Sequence, residues 1–217
     1  MSYMVQSRSI NLNIKKIISY RQFCNKIWQT YKFTKPKFDL IKDFARELDP
    51  SKQNFLNSWI LSRLNTMVSE INRSFEKYAL GEVVGSFHNF WLYELCDIYL
   101  EATKPIFING SEEEKELTAL TLFTCLKDGL LCLHPLMPFI SEELYQKLPA
   151  FPGKVQSITI APYPQPISER YPEIDAYFTS IANEFEKVNK IAGCLRSIAA
   201  SVNLPPQIRA NAFIITD

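Results

Sequence analysis

Six stretches of this chain, one of them short, repeat apolar residues at three- and four-residue spacing, and that periodicity leaves little room for any architecture but packed helices. The clearest runs through Leu56, Trp59, Ile60, Leu64, Met67, Val68, Ile71, Phe75 and Tyr78, one face of a helix of about six turns. An earlier stretch, Asn13 to Phe33, carries Ile14, Ile17, Ile18, Cys24, Ile27, Trp28 and Tyr31 in the same register. A third predicted helix spans about Gly81 to Thr103, through Val84, Phe87, Trp91, Leu95, Ile98 and Ala102, and Lys104-Pro105 should stop it. Ser111 followed by Glu114 forms a capping box for a fourth helix, Leu117 to Leu133, which Pro135 ends. Asp49-Pro50-Ser51 reads as a start signal for the second. A short helix from about Ser141 to Leu148 and a long one from about Pro172 to Ala200 complete the set.

Between them, residues 149–170 are rich in proline, with one β-like run, Val155 to Ile160. The tail from Ile208 to Thr216 alternates like a strand but has no partner left to pair with. The expected architecture is mainly α: an antiparallel bundle over residues 1–206, with 207–217 beginning a truncated C-terminal subdomain that contributes a short β segment. With 15 Phe, 10 Tyr and 3 Trp there is ample material for one shared core. The 6 glycines are too few for a glycine-rich phosphate-binding fold. No run approaches a membrane span, and the start lacks a signal-peptide pattern, so the expected compartment is the cytoplasm.

Familiar catalytic patterns are missing: no phosphate-binding loop, dinucleotide-binding glycine pattern, serine nucleophile elbow or His-Glu-x-x-His occurs. His88 and His134 lie within apolar patterns, as core or capping histidines do, and Glu142-Glu143 offsets the dipole in the first turn of the short helix. Cys24, Cys96, Cys125, Cys132 and Cys194 show no paired close spacing, which fits buried thiols in a reducing compartment and implies no metal. Charge is more informative. Residues 1–47 hold ten Lys or Arg against three acids, for +7, whereas 48–175 hold ten against seventeen, for −7. The total of +1 therefore conceals a basic N-terminal segment, the footprint of contact with a polyanion.

Within that segment, helical geometry places Ile14, Ile17, Cys24, Trp28 and Tyr31 on one side and Arg21 and Asn25 at the edge of that apolar face, where structural hydrogen bonds belong. Phe23 falls opposite, near Lys16 and Lys26. An aromatic ring on a lysine-bearing face suits base stacking with phosphate neutralisation. The competing reading packs Phe23 beneath the 34–50 linker or a neighbouring domain.

The string Arg21-Gln22-Phe23-Cys24-Asn25-Lys26-Ile27-Trp28 resembles the opening helix of the anticodon-binding domain in valyl-tRNA synthetases. Trp59-Ile60-Leu61-Ser62-Arg63-Leu64 is similar to that family's second helix, and Phe90-Trp91-Leu92-Tyr93-Glu94-Leu95-Cys96-Asp97-Ile98-Tyr99-Leu100-Glu101, then Lys104-Pro105, to its third. His134-Pro135-Leu136-Met137-Pro138-Phe139-Ile140, then Glu142-Glu143-Leu144, resembles a segment that valyl, isoleucyl and leucyl relatives share. Together these cover about residues 8 to 206 in the family's order. The resemblance implies a class I ligase that joins valine to its tRNA with ATP and magnesium. It implies equally that this chain is an excised anticodon-binding part, since the signatures His-Ile-Gly-His and Lys-Met-Ser-Lys-Ser occur nowhere in it. ATP and magnesium would belong to the missing catalytic domain, and none would be held here.

The expected partner is then the anticodon stem-loop of valine tRNA, with no DNA and no membrane involved, bound by a monomer. Lys16, Lys26, Lys32, Lys35 and Lys37 would contact phosphates and Phe23 would stack an unpaired base, with Arg21 and Asn25 structural or tRNA-adjacent. The rival from another class is a helical protein-interaction scaffold without RNA contact, and a third possibility is the equivalent domain of an isoleucyl or leucyl enzyme.

Overall fold

The structure, a computed structural model, describes residues 14–203, with the side chains of all of these except 14–17 and 19. It is mainly helical. Helix α1 covers Ile14–Thr34 and runs into a 3-10 turn over Lys35–Leu40. A second 3-10 turn, Pro50–Lys52, is headed by Asp49, whose carboxylate accepts from the Ser51 amide at 3.0 Å. Helix α2, Phe55–Glu76, begins only after Asn54 caps it by accepting from the Asn57 amide at 2.8 Å. Asp49-Pro50-Ser51 therefore starts a turn that precedes the helix, and Asn54 starts the helix itself.

The chain leaves α2 through Tyr78, which holds a left-handed backbone (φ 56°), and the Ala79 amide donates back to the Ser74 carbonyl at 2.9 Å. That pair of features is the usual C-terminal closure of a helix, here with tyrosine in glycine's place. Helix α3 (Leu80–His88), a π-helical segment (Asn89–Tyr99) and α4 (Leu100–Asn109) then follow without interruption. Pro105 does not stop this rod as its position predicts. Its missing N–H falls on an exposed face, where water can serve the carbonyl one turn back, and the chain turns only at Gly110.

Four side-chain bonds set the direction of α2 against this rod. Ser74 donates to Glu82 at 3.1 Å, Ser86 to Glu70 at 2.7 Å, Arg63 to Glu94 at 2.8 Å and Tyr99 to Asn57 at 2.7 Å. One partner's number rises as the other's falls, so the two are antiparallel. Helix α5, Glu112–Leu133, opens with the predicted capping box at Ser111 and Glu114 and returns alongside the rod. There Gly129 leaves room for Trp91: a Cβ at that position would lie 2.6 Å from the indole.

Helix α6 covers Pro138–Gln146, beginning three residues before the predicted Ser141 because Pro138 occupies the first helical turn, where a missing N–H costs nothing. Glu142 is consequently past the first turn, and it ties down the following loop by accepting from Ser157 Oγ and the Ile158 amide, both at 2.9 Å. The run Val155 to Ile160 is a bend and a 3-10 turn instead of a β segment, and no strand occurs among the described residues. After the one-turn helix α7 (Ile167–Arg170) comes α8, Ile174–Ser201. The strand-like tail Ile208 to Thr216 and the boundary at 206 lie outside the described residues.

Helix α8 has two characters. Its first half packs on α2: Tyr177 Oη donates to Ser58 at 3.2 Å, and the Phe185 ring stacks on Trp59 at 3.8 Å. Beyond Phe185 none of its described residues is buried, and Val188, Ile191, Leu195, Ile198 and Val202 form an exposed apolar stripe. Cys194 is exposed there too, unlike the buried thiol expected of it, while Cys96, Cys125 and Cys132 are buried and Cys24 half-buried. No described helix is long and apolar enough to cross a membrane.

Candidate nucleic-acid interface

Helix α1 lies along the π segment and α3, and the contacts decide which face it turns outward. Phe23 meets α3, its ring 6.2 Å from Phe87 and 4.8 Å from His88. One turn on, Ile27 is fully buried, and Thr30 Oγ1 lies 3.0 Å from Cys96 Sγ. Tyr31 donates to the Lys147 carbonyl at the end of α6, at 2.7 Å. Phe23, Ile27, Thr30, Tyr31 and Thr34 thus define the inward face.

This corrects the expected assignment of faces. Phe23 is half-buried against the core, packed on α3 and not beneath the 34–50 linker. Arg21 and Asn25, placed at the apolar edge by the sequence reading, are exposed. The cause is the pair of threonines. A hydropathy pattern counts Thr30 and Thr34 as polar, yet both are buried because their hydroxyls donate to backbone carbonyls, Thr30 to Lys26 at 2.9 Å and Thr34 to Thr30 at 3.0 Å. Adding them rotates the buried face away from the predicted stripe and toward Phe23. Phe23→Ala should therefore destabilise the fold by about 1–2 kcal/mol, roughly half the cost of deleting a fully buried ring. A melting temperature equal to that of the parent would contradict this placement.

The lysines divide as sharply. Lys26 Nζ pairs with Asp97 of the π segment at 3.4 Å, both side chains being about half exposed. Lys37 folds back on its own helix end: its ammonium donates to the Phe33 carbonyl at 2.6 Å and sits 3.5 Å from the Phe33 ring centroid. Burial there lowers its pKa from the ordinary lysine value, and to meet a phosphate its ammonium would have to leave the Phe33 carbonyl and ring. Lys32 and Lys35 are exposed, and the side chain of Lys16 lies outside the described residues. Part of the N-terminal excess of charge is neutralised from within, for Lys42 pairs with Glu116 at 3.6 Å and Arg46 with Glu113 at 3.7 Å.

What remains outward on α1 is a file at four- and three-residue spacing: Arg21, Asn25, Gln29 and Lys32, all exposed, with Lys35 just beyond. At the helical rise it extends about 16 Å. Among the described residues no carboxylate forms an ion pair with Arg21, Lys32 or Lys35. The file offers cationic, donor and amide groups along one helix.

The sequence reading missed a second feature beside it. The His88 ring, half-buried, lies between Phe23 and Tyr93, 5.8 Å from the latter, and Tyr93 is 52% exposed. The Phe23–His88 contact joins residues 65 apart in sequence and leaves no periodic signal. His134, by contrast, is the structural histidine expected. It closes α5 with its two ring nitrogens 2.8 Å from Ser141 Oγ and 3.1 Å from Thr159 Oγ1.

Comparison with known proteins adds the remaining constraint. A family model described as the anticodon-binding domain of tRNA ligase matches residues 57–214. The chain is 36% identical to human valine–tRNA ligase over 223 residues, an alignment covering 98% of this chain and 16% of that protein. It is 41% identical to valine–tRNA ligase of Takifugu rubripes over 174 residues, or 75% of this chain and 14% of the relative. To the human mitochondrial valine–tRNA ligase it is 37% identical over 210 residues, 94% of this chain and 19% of the relative. The chain thus spans less than a fifth of the length of these relatives.

Proposed function

Because the chain belongs to the anticodon-binding domain family of tRNA ligases, and aligns with valine–tRNA ligases along nearly its whole length, we propose that it holds the anticodon stem-loop of valine tRNA through the outward face of α1. The observation that carries this reading is the cationic file, Arg21, Lys32 and Lys35, which has no carboxylate partner among the described residues, next to basic residues that are paired. Cations left without carboxylate partners can exchange counterions for phosphates at little cost. Asn25 and Gln29 add neutral groups that can meet sugar or base edges. Lys26 can join them by trading Asp97 for a phosphate, since a half-exposed ion pair is worth little. Lys16 remains a candidate contact on the preceding turn.

In this reading the segment works as a monomer in the cytoplasm. It holds neither ATP nor magnesium and joins no amino acid to tRNA by itself; it positions valine tRNA for a catalytic part of a longer ligase.

The test is binding of valine tRNA transcripts, with native and altered anticodons, across a series of salt concentrations. With three phosphates engaged, log affinity should fall against log salt with a slope of roughly −2 to −3. Lys32→Ala should flatten that slope by about one unit without changing the melting temperature. Salt-independent binding, or none, would remove the RNA reading and favour a protein-interaction scaffold.

A further inference from the structure

The three rings Phe23, His88 and Tyr93 run outward from the core in file, and only the last reaches solvent over most of its surface. Phe23 is anchored edge-on against buried Phe87 at 6.2 Å. His88 lies tilted by 36° on Phe23 with its centroid 4.8 Å away, and Tyr93 meets His88 at 74° and 5.8 Å. Tyr93 belongs to the π segment, as does Asp97 one turn later, and Asp97 holds Lys26 of α1 at 3.4 Å. An exposed aromatic ring braced by two others, with a loosely paired ammonium on the neighbouring helix, combines the two elements that single-stranded nucleic acid requires: a stacking surface and a phosphate contact.

Resting on the RNA reading above, we infer that Tyr93 is the stacking platform for one unpaired base of the anticodon loop, with Lys26 taking the adjacent phosphate once Asp97 releases it. This reassigns the aromatic role that the sequence suggested for Phe23. Phe23 instead acts at one remove, holding His88, which fixes the orientation of Tyr93. The π segment fits this use, because such segments within helices commonly mark functional sites. A tyrosine that is 52% exposed makes little contribution to the fold, so its substitution can be read as binding.

The experiment compares the full chain with Tyr93→Ala and Tyr93→Phe, using two RNA probes. One is an anticodon stem-loop carrying a valine anticodon; the other is a fully paired duplex of the same stem. Tyr93→Ala should weaken stem-loop binding on the order of tenfold or more, the usual worth of a stacked base. It should leave duplex binding and the melting temperature as in the parent. Tyr93→Phe, which keeps the ring face, should bind the stem-loop like the parent. Unchanged stem-loop affinity in Tyr93→Ala, or equal loss on both probes, overturns the platform while leaving the phosphate-contact reading in place. Failure of the parent chain to bind either probe overturns both.

Discussion

Trp91→Ala should lower the free energy of unfolding by about 3–5 kcal/mol, the range for deleting a fully buried large aromatic. Trp91 has no exposed surface, stacks on Phe87 with centroids 5.3 Å apart, and covers Gly129 of α5. The same contact makes a mild substitution harmful. Gly129→Ala should gain about 1 kcal/mol from helix propensity but lose about 1–3 kcal/mol to overpacking, since its new methyl would fall 2.6 Å from the indole. The two effects are coupled, so a double-mutant cycle by urea unfolding separates them. In the Trp91→Ala background, where the methyl enters a cavity, Gly129→Ala should turn stabilising. If it costs the same in both backgrounds, the indole is not what excludes a side chain at 129.

Arg63→Met should be nearly as costly, about 2–4 kcal/mol near neutral pH, because it strands a buried carboxylate. Glu94 receives the Arg63 guanidinium at 2.7 and 2.8 Å and Asn89 Nδ2 at 3.0 Å. The lower end reflects the partial exposure of Arg63, at 29% of its side chain. Burial raises the Glu94 pKa above the ordinary glutamate value even with Arg63 pulling it down. A carboxyl whose folded pKa is raised contributes stability in full below its unfolded pKa, about 4.3, and loses it as pH climbs through the folded value. Without Arg63 the folded pKa moves higher and the loss continues over a wider interval. The deficit of Arg63→Met relative to the parent should therefore grow between pH 4 and pH 7. A deficit independent of pH would mean that the arginine serves only as packing.

Most helices were legible because burial follows a repeat that hydropathy can count. The face of α1 was not, because the residues that complete it carry hydroxyls. Thr30 and Thr34 satisfy themselves within the helix and so bury like valines, a compensation that no residue-by-residue scale contains. That one compensation accounts both for the outward placement expected of Phe23 and for the placement of Arg21 and Asn25 at the apolar edge. The availability of each lysine was equally hidden, since Asp97 and Glu116 approach from distant parts of the chain and Lys37 folds back onto the end of its own helix. Pro105 misled for another reason. A proline forbids one hydrogen bond, and on a wetted face the helix survives that loss. Val155 to Ile160 looked like a strand because β-branched residues dominate it, but a strand needs a neighbour, and here Glu142 collects the amide of Ile158 instead.

The seat of α8 on Trp59 acts as a fulcrum. From Phe185 to Ser201 the helix extends about 24 Å, so a swing of about 10° at the stacked rings sweeps its far end sideways by roughly 4 Å over that length. Small changes in the shape of the pair at 59 and 185 are multiplied several-fold before they reach Ser201. Two side chains on the flank of the bundle thereby set where the described end of this arm lies.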